Sequence, residues 1–171
     1  MNITQIIEEA LTRSYTYTDY KELMNTLFAE GKTTGEIQTE AFLGYTELGI
    51  RRMKRWDKTA KLTEEQITAI QQIDVPQTWI VMTEAWCGDA AHALPILAKL
   101  ADLNKHIDLQ IVLRDENEAL MDEFLTNGGR SIPKLISFSP DENKILFTWG
   151  PRPKNAQKLV DDAKKTEAGI T

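Results

Sequence analysis

The sequence predicts an α/β domain behind a helical N-terminal extension, and three features carry that expectation. The texture changes near residue 74. Before it, apolar residues recur at three- and four-residue spacing, the period of amphipathic helices. From Pro76 onward, short apolar runs alternate with helical stretches, the pattern of a partly parallel sheet with helices on its faces. The third feature is size. A chain of 171 residues with 42% apolar side chains can bury roughly 70% of the surface its unfolded form exposes. One domain with an extension therefore needs no staple.

The first expected helix carries Ile3, Ile6, Ile7, Ala10 and Leu11. The second carries Tyr20, Leu23, Met24, Leu27 and Phe28, and Gly31 stops it. A longer helix is expected over about residues 38–57, with Phe42, Tyr45, Gly49, Met53 and Trp56 on one stripe. Thr63 to Gln66 reads as a capping box opening a short helix that ends near Ile73: the Thr hydroxyl takes a backbone N–H and the Gln side chain reaches back. The run Thr78 to Thr83 is a buried strand, Cys87 to about Leu103 a helix, Ile107 to Leu113 a second strand, and Glu116 to Leu125 a helix. Pro133 to Phe138 and Lys144 to Trp149 are strands joined by a turn-rich loop, hence a hairpin. Pro153 suits the first position of a last helix to about Lys165.

Composition narrows the function. Twenty Lys and Arg against 26 Asp and Glu give a formal charge of −6, which argues against general affinity for nucleic acid or an anionic membrane. The lone Cys87 excludes an intrachain disulfide and a multi-cysteine zinc site. With only His92 and His106, no metal site is expected. The beginning of the chain lacks a basic stretch followed by an apolar run, and no apolar stretch is long enough to span a bilayer. These features point to a cytoplasmic protein whose single cysteine stays reduced.

Cys87 falls where a strand hands over to a helix. Free N–H groups and the positive end of the helix dipole both favour a thiolate there. The competing reading is a buried structural cysteine. The segment Ala85-Trp86-Cys87-Gly88-Asp89-Ala90, with Pro95 eight residues after Cys87, resembles the thioredoxin family's Trp-Cys-Gly-x-Cys motif and kinking proline. Gly129-Arg130-Ser131-Ile132-Pro133 is similar to the family's second landmark, a loop with a cis Ile-Pro bond facing the active cysteine. Asp115-Glu116-Asn117 and Gly150 fit the same alignment. The resemblance covers about residues 75–166. It implies a thioredoxin-like β-α-β-α-β-β-α core over 74–171, with residues 1–73 as a helical extension packed on it. It also implies that Pro133 follows a cis bond and that backbone at Ser131 and Ile132 pairs with an extended substrate.

The departures matter as much. Ala90 stands where the family has its resolving cysteine, and Val81 where it keeps a buried Asp that serves that second thiol. Cys87 could open a disulfide but not complete a dithiol cycle. The expected chemistry is monothiol exchange on a protein or small-thiol disulfide, glutathione mixed disulfides included, with no cofactor. Cys87 would be the nucleophile and Asp89 its tuning group; Trp86, Gly88, Ser131, Ile132 and Pro133 would line the substrate groove. The alternative is a thioredoxin-fold binding module without turnover.

Asp89 has two readings: a helix-start acid that suits the dipole, or a group tuning the thiol or touching substrate, a role Glu84 could share. Thr83 lies four residues before Cys87, not the three expected of a peroxidatic site. The basic run Arg51 to Lys58 is either a solvated helix end or a surface that brings Arg51, Arg52 or Arg55 near Cys87, lowering the thiol pKa or holding an anionic partner.

Overall fold

A computed structural model describes residues 1–153; the expected last helix, 153–165, lies outside the described residues apart from its first position. The chain runs through α1 (Ile3–Leu11), α2 (Tyr17–Ala29), α3 (Glu40–Thr59) and α4 (Glu64–Gln71) before its first strand, β1 (Gln77–Thr83). Then follow α5 (Gly88–Asp102), β2 (Ile107–Leu113), a 3₁₀ turn at 114–116, α6 (Glu118–Glu123), β3 (Lys134–Ser139) and β4 (Lys144–Trp149). No described helix is long and apolar enough to cross a membrane.

Each helix start in the extension has a chemical cause. Asn2, Thr16, Thr39 and Thr63 each accept a backbone N–H three residues on, filling one of the donors that a helix start leaves open. Asn2–Gln5 and Thr63–Gln66 form complete capping boxes.

The four strands lie in the order β2-β1-β3-β4. β1 is parallel to β2 and antiparallel to β3, and β3–β4 is an antiparallel hairpin with a register shift at Ser137/Phe138. Central placement explains the unbroken apolar run of β1: both faces are covered, so Ile80, Val81 and Met82 have no exposed surface. Burying each such side chain contributes roughly 1.5–3 kcal/mol. The β2 edge is closed by Tyr15, which exchanges two 2.8 Å backbone hydrogen bonds with Ile111.

α3 crosses α5 and α2, with a buried stripe rotated from the expected one. Thr46, Gly49 and Met53 face inward, while Tyr45 is 52% exposed. Thr46 can turn inward because its hydroxyl bonds the Phe42 carbonyl and the Thr33 hydroxyl, which removes the cost of burying it. Gly49 faces the loop before α5: a Cβ there would stand in ordinary van der Waals contact, 3.5 Å, with the Ala85 carbonyl. The extension thus backs directly onto the segment that carries Cys87.

Candidate functional site

Cys87 is the N-cap of α5, in extended backbone geometry and with no side-chain capping bond. Its N–H donates to the Glu84 carbonyl at 3.0 Å, which folds the strand end into a tight turn. Sγ lies 3.5 Å from the Ile132 carbonyl oxygen, just before the cis bond to Pro133. The cleft between the helix start and the loop before β3 therefore holds Cys87, Ile132 and Pro133 together, all buried, with Ser131 half-buried at its edge. Gly150, at φ +121°, seals the far wall: a Cβ there would collide with the Pro133 carbonyl.

The charge on the thiol follows from this packing, and its direction is opposite to the one a helix start alone favours. Burial pushes the Cys87 thiol above its ordinary range, and the Asp89 carboxylate pushes the same way. The N–H groups of Ala90 and Asp89, the open end of the helix, and the Thr83 hydroxyl pull it down. Helix-start stabilisation is present, but desolvation outweighs it. Thr83, set aside on spacing, does act on the thiol.

Asp89 is half-buried and receives Arg152 Nε at 3.0 Å. That pair ties the segment after β4 to the start of α5 across the cleft mouth. Gly88 faces α3: its Cβ position would be 3.5 Å from Arg52 Nη1. Arg52 also lowers the His92 pKa, secondary to burial. His92 is exposed and accepts Trp56 Nε1–H at 2.9 Å, so it serves packing between α3 and α5. Of the basic run, Arg52 reaches the helix start, yet no cation of that run figures among the causes that move the Cys87 thiol. Of the two readings of that run, the one that lowers the thiol through Arg51, Arg52 or Arg55 finds no support in these causes.

Trp86 is half-buried between the Phe42 ring (centroids 4.8 Å apart) and the Arg114 guanidinium, 5.2 Å from its centroid. Glu84 lies behind it, 1% exposed. One carboxylate oxygen accepts the Asp115 N–H at 3.0 Å; the other is buried without a hydrogen-bond partner. Burial raises the Glu84 pKa above its ordinary 4.5, while Thr34 and the Asp115 N–H oppose the rise.

Sequence reasoning missed the groups that come from far along the chain. Tyr20, in α2, is 1% exposed; Thr83, Cys87 and Glu84 all act on its hydroxyl, and burial pushes that hydroxyl above its usual range. Thr34 accepts the Ala85 N–H at 2.8 Å, and Gly35 covers Glu84 and Trp86. No local motif marks these residues, because their role comes from α2 and the loop after it, folded back onto the strand end from far along the chain. Val81 and Ala90, at 0% and 1% exposure, leave no polar group where a resolving thiol and its acid would stand. Among the described residues, no cluster of three or more His, Cys, Asp or Glu is placed to hold a metal ion.

Comparison with known proteins agrees with this geometry. A protein of unknown function from Pseudomonas aeruginosa superimposes with a TM-score of 0.53 at 16% identity, over 91% of this chain and 87% of that one. An HIV epitope scaffold superimposes with a TM-score of 0.51 at 17% identity, over 82% of this chain and 80% of that one. Both likenesses show shared fold. No curated protein matches the sequence. The thioredoxin family model matches residues 35–164, a span that takes in α3 and α4 as well as the sheet. With most of its length matched in this way, and with Cys87 facing the Ile132–Pro133 loop, the chain belongs to the thioredoxin family.

Proposed function

We propose that this thioredoxin-fold protein performs monothiol exchange through Cys87. The observation that carries the reading is the 3.5 Å approach of Sγ to the Ile132 carbonyl, beside the backbone on which a substrate strand would lie. A disulfide between a polypeptide and a small thiol would pair along Ser131 and Ile132, placing a sulfur over Cys87. The Cys87 proton leaves to solvent, and the thiolate attacks the small-thiol sulfur. The Cys87–S bond forms as the old S–S bond breaks, and the polypeptide leaves as a thiolate that takes up a proton. A second small-molecule thiol then attacks the new mixed disulfide, releasing a small-molecule disulfide and restoring Cys87. Glutathione is a suitable small thiol. Burial, with the Asp89 carboxylate acting the same way, disfavours the Cys87 thiolate in the free protein. Trp86, Gly88 and Pro133 shape the groove.

One observation favours a second reading, a binding module without turnover: burial holds Cys87 above the range of an activated thiol. The pH dependence of iodoacetamide alkylation separates the two, with Cys87→Ser as the blank. Labelling in the folded state, together with thiol-dependent reduction of a glutathionylated protein that Cys87→Ser abolishes, supports exchange. A folded protein whose thiol neither labels nor forms a mixed disulfide leaves only the binding module.

A further inference from the structure

We propose that the exposed side of α3 is a docking surface for an acidic polypeptide segment with a large apolar side chain among its carboxylates. The surface stands apart from the thiol chemistry. Arg51, Lys54, Arg55 and Lys58 follow the spacing i, i+3, i+4, i+7, so they form one stripe. All four are exposed, and among the described residues none has an ion-pair partner. The helix dipole does not account for them. Its effect is confined to the last turn, which here holds Lys58 but not Arg51, Lys54 or Arg55.

Beside the stripe, between α2 and α3, lies a hollow of about 430 Å³. Met24, Ile50 and Met53 line its floor, with the two methionines only 2% exposed, and Lys21, Asn25, Lys54 and Lys58 stand around its lip. Asp57, the acid at that lip, is already engaged: its two oxygens accept the Tyr17 hydroxyl at 2.8 Å and Lys21 Nζ at 3.0 Å. The hollow therefore presents an apolar floor and uncompensated positive charge. A single apolar side chain fits the floor, and carboxylates one turn to either side meet the lysines. The footprint suits a short helix or peptide. A broad anionic sheet or a nucleic-acid duplex would extend past the stripe onto a chain whose overall charge is −6.

Fluorescence anisotropy of the full chain with a labelled synthetic peptide, in which Glu residues flank a Leu at helical spacing, tests the proposal. The controls are a peptide with Gln for Glu, one with Ser for Leu, phosphatidylserine vesicles and a short DNA duplex. Binding to the Glu/Leu peptide should weaken on the order of tenfold in the Lys54→Glu/Lys58→Glu protein, where two favourable contacts become repulsive. It should also weaken when either Gln or Ser is introduced in the peptide, and fall with added salt. Both lysines are exposed, so the variant should keep the wild-type circular dichroism. Absence of binding at low salt, equal binding by the charge-reversed protein, or tighter binding of vesicles or duplex than of the peptide would each overturn the proposal.

Discussion

Two carboxylates flank Cys87 in sequence, Glu84 three residues before it and Asp89 two after, and they occupy opposite kinds of place. Glu84 closes a strand that is covered on both faces. It is 1% exposed, has one oxygen without a partner, and its pKa is raised, chiefly by burial. Asp89 opens a helix, stands half in solvent and holds Arg152 at 3.0 Å. The strand end is a sealed compartment where a negative charge is costly. The helix start is a wet rim where the charge is paired, screened and close enough to act on the thiol. Glu84, by contrast, is not among the groups that move Cys87. Sequence distance to the cysteine thus says little about chemical reach; the backbone path sends one carboxylate behind Trp86 and leaves the other over the cleft.

The seal over the strand end is the place to break this contrast most forcefully. Gly35 sits at φ +83°, and a Cβ there would come within 2.8 Å of Asp115 Oδ2. Gly35→Ala should cost about 1–2 kcal/mol from the left-handed backbone alone, read as a lower urea midpoint. An unchanged midpoint would mean that this loop does not hold the compartment shut. Glu84→Gln works in the other direction. An acid whose folded pKa lies above its unfolded one contributes stability at low pH that is lost as pH climbs from the ordinary 4.5 through the raised value. The glutamine can still accept the Asp115 N–H and carries no charge. At neutral pH the variant should be more stable, read as a higher urea midpoint, because it removes a charge that burial disfavours. That advantage should vanish in urea titrations run below about pH 4. A variant no more stable than wild type at neutral pH would show that the charge at the strand end is solvated after all.

The same contrast marks what was legible in the sequence. The strand β1, the capping box at Thr63 and the hairpin β3–β4 depend on local chemistry: an apolar run, a hydroxyl with a glutamine three residues on, a turn-rich loop. Cys87 and Pro133 were readable as a pair through the family resemblance, and they meet in the cleft. The sign of the thiol shift was not readable, because it is decided by how much protein closes over the sulfur, and that cover includes Tyr20 from α2. The face of α3 was misjudged at Tyr45 because a buried Thr46 looks wrong until Thr33 supplies its partner. Arg152 gave no signal at all: its tie to Asp89 exists only once the hairpin has returned the chain to the start of α5.

The smallest expected effect on stability is the most telling for the chemistry. Asp89→Ala removes an ion pair whose partners are 29% and 35% exposed, so its cost should be below about 1 kcal/mol. The same change removes a charge that opposes ionisation of Cys87, so the midpoint of iodoacetamide alkylation should move to lower pH. Arg152→Ala separates the two roles. It breaks the same ion pair but leaves the Asp89 carboxylate unneutralised beside the cleft, so the alkylation midpoint should stay level or rise. If both variants shift the midpoint the same way, the effect belongs to loosening of the cleft mouth, and Asp89 acts as a structural tie. If only Asp89→Ala lowers it, the carboxylate acts on the thiol through its field, and the rim, unlike the sealed strand end, is where this protein sets the reactivity of its one cysteine.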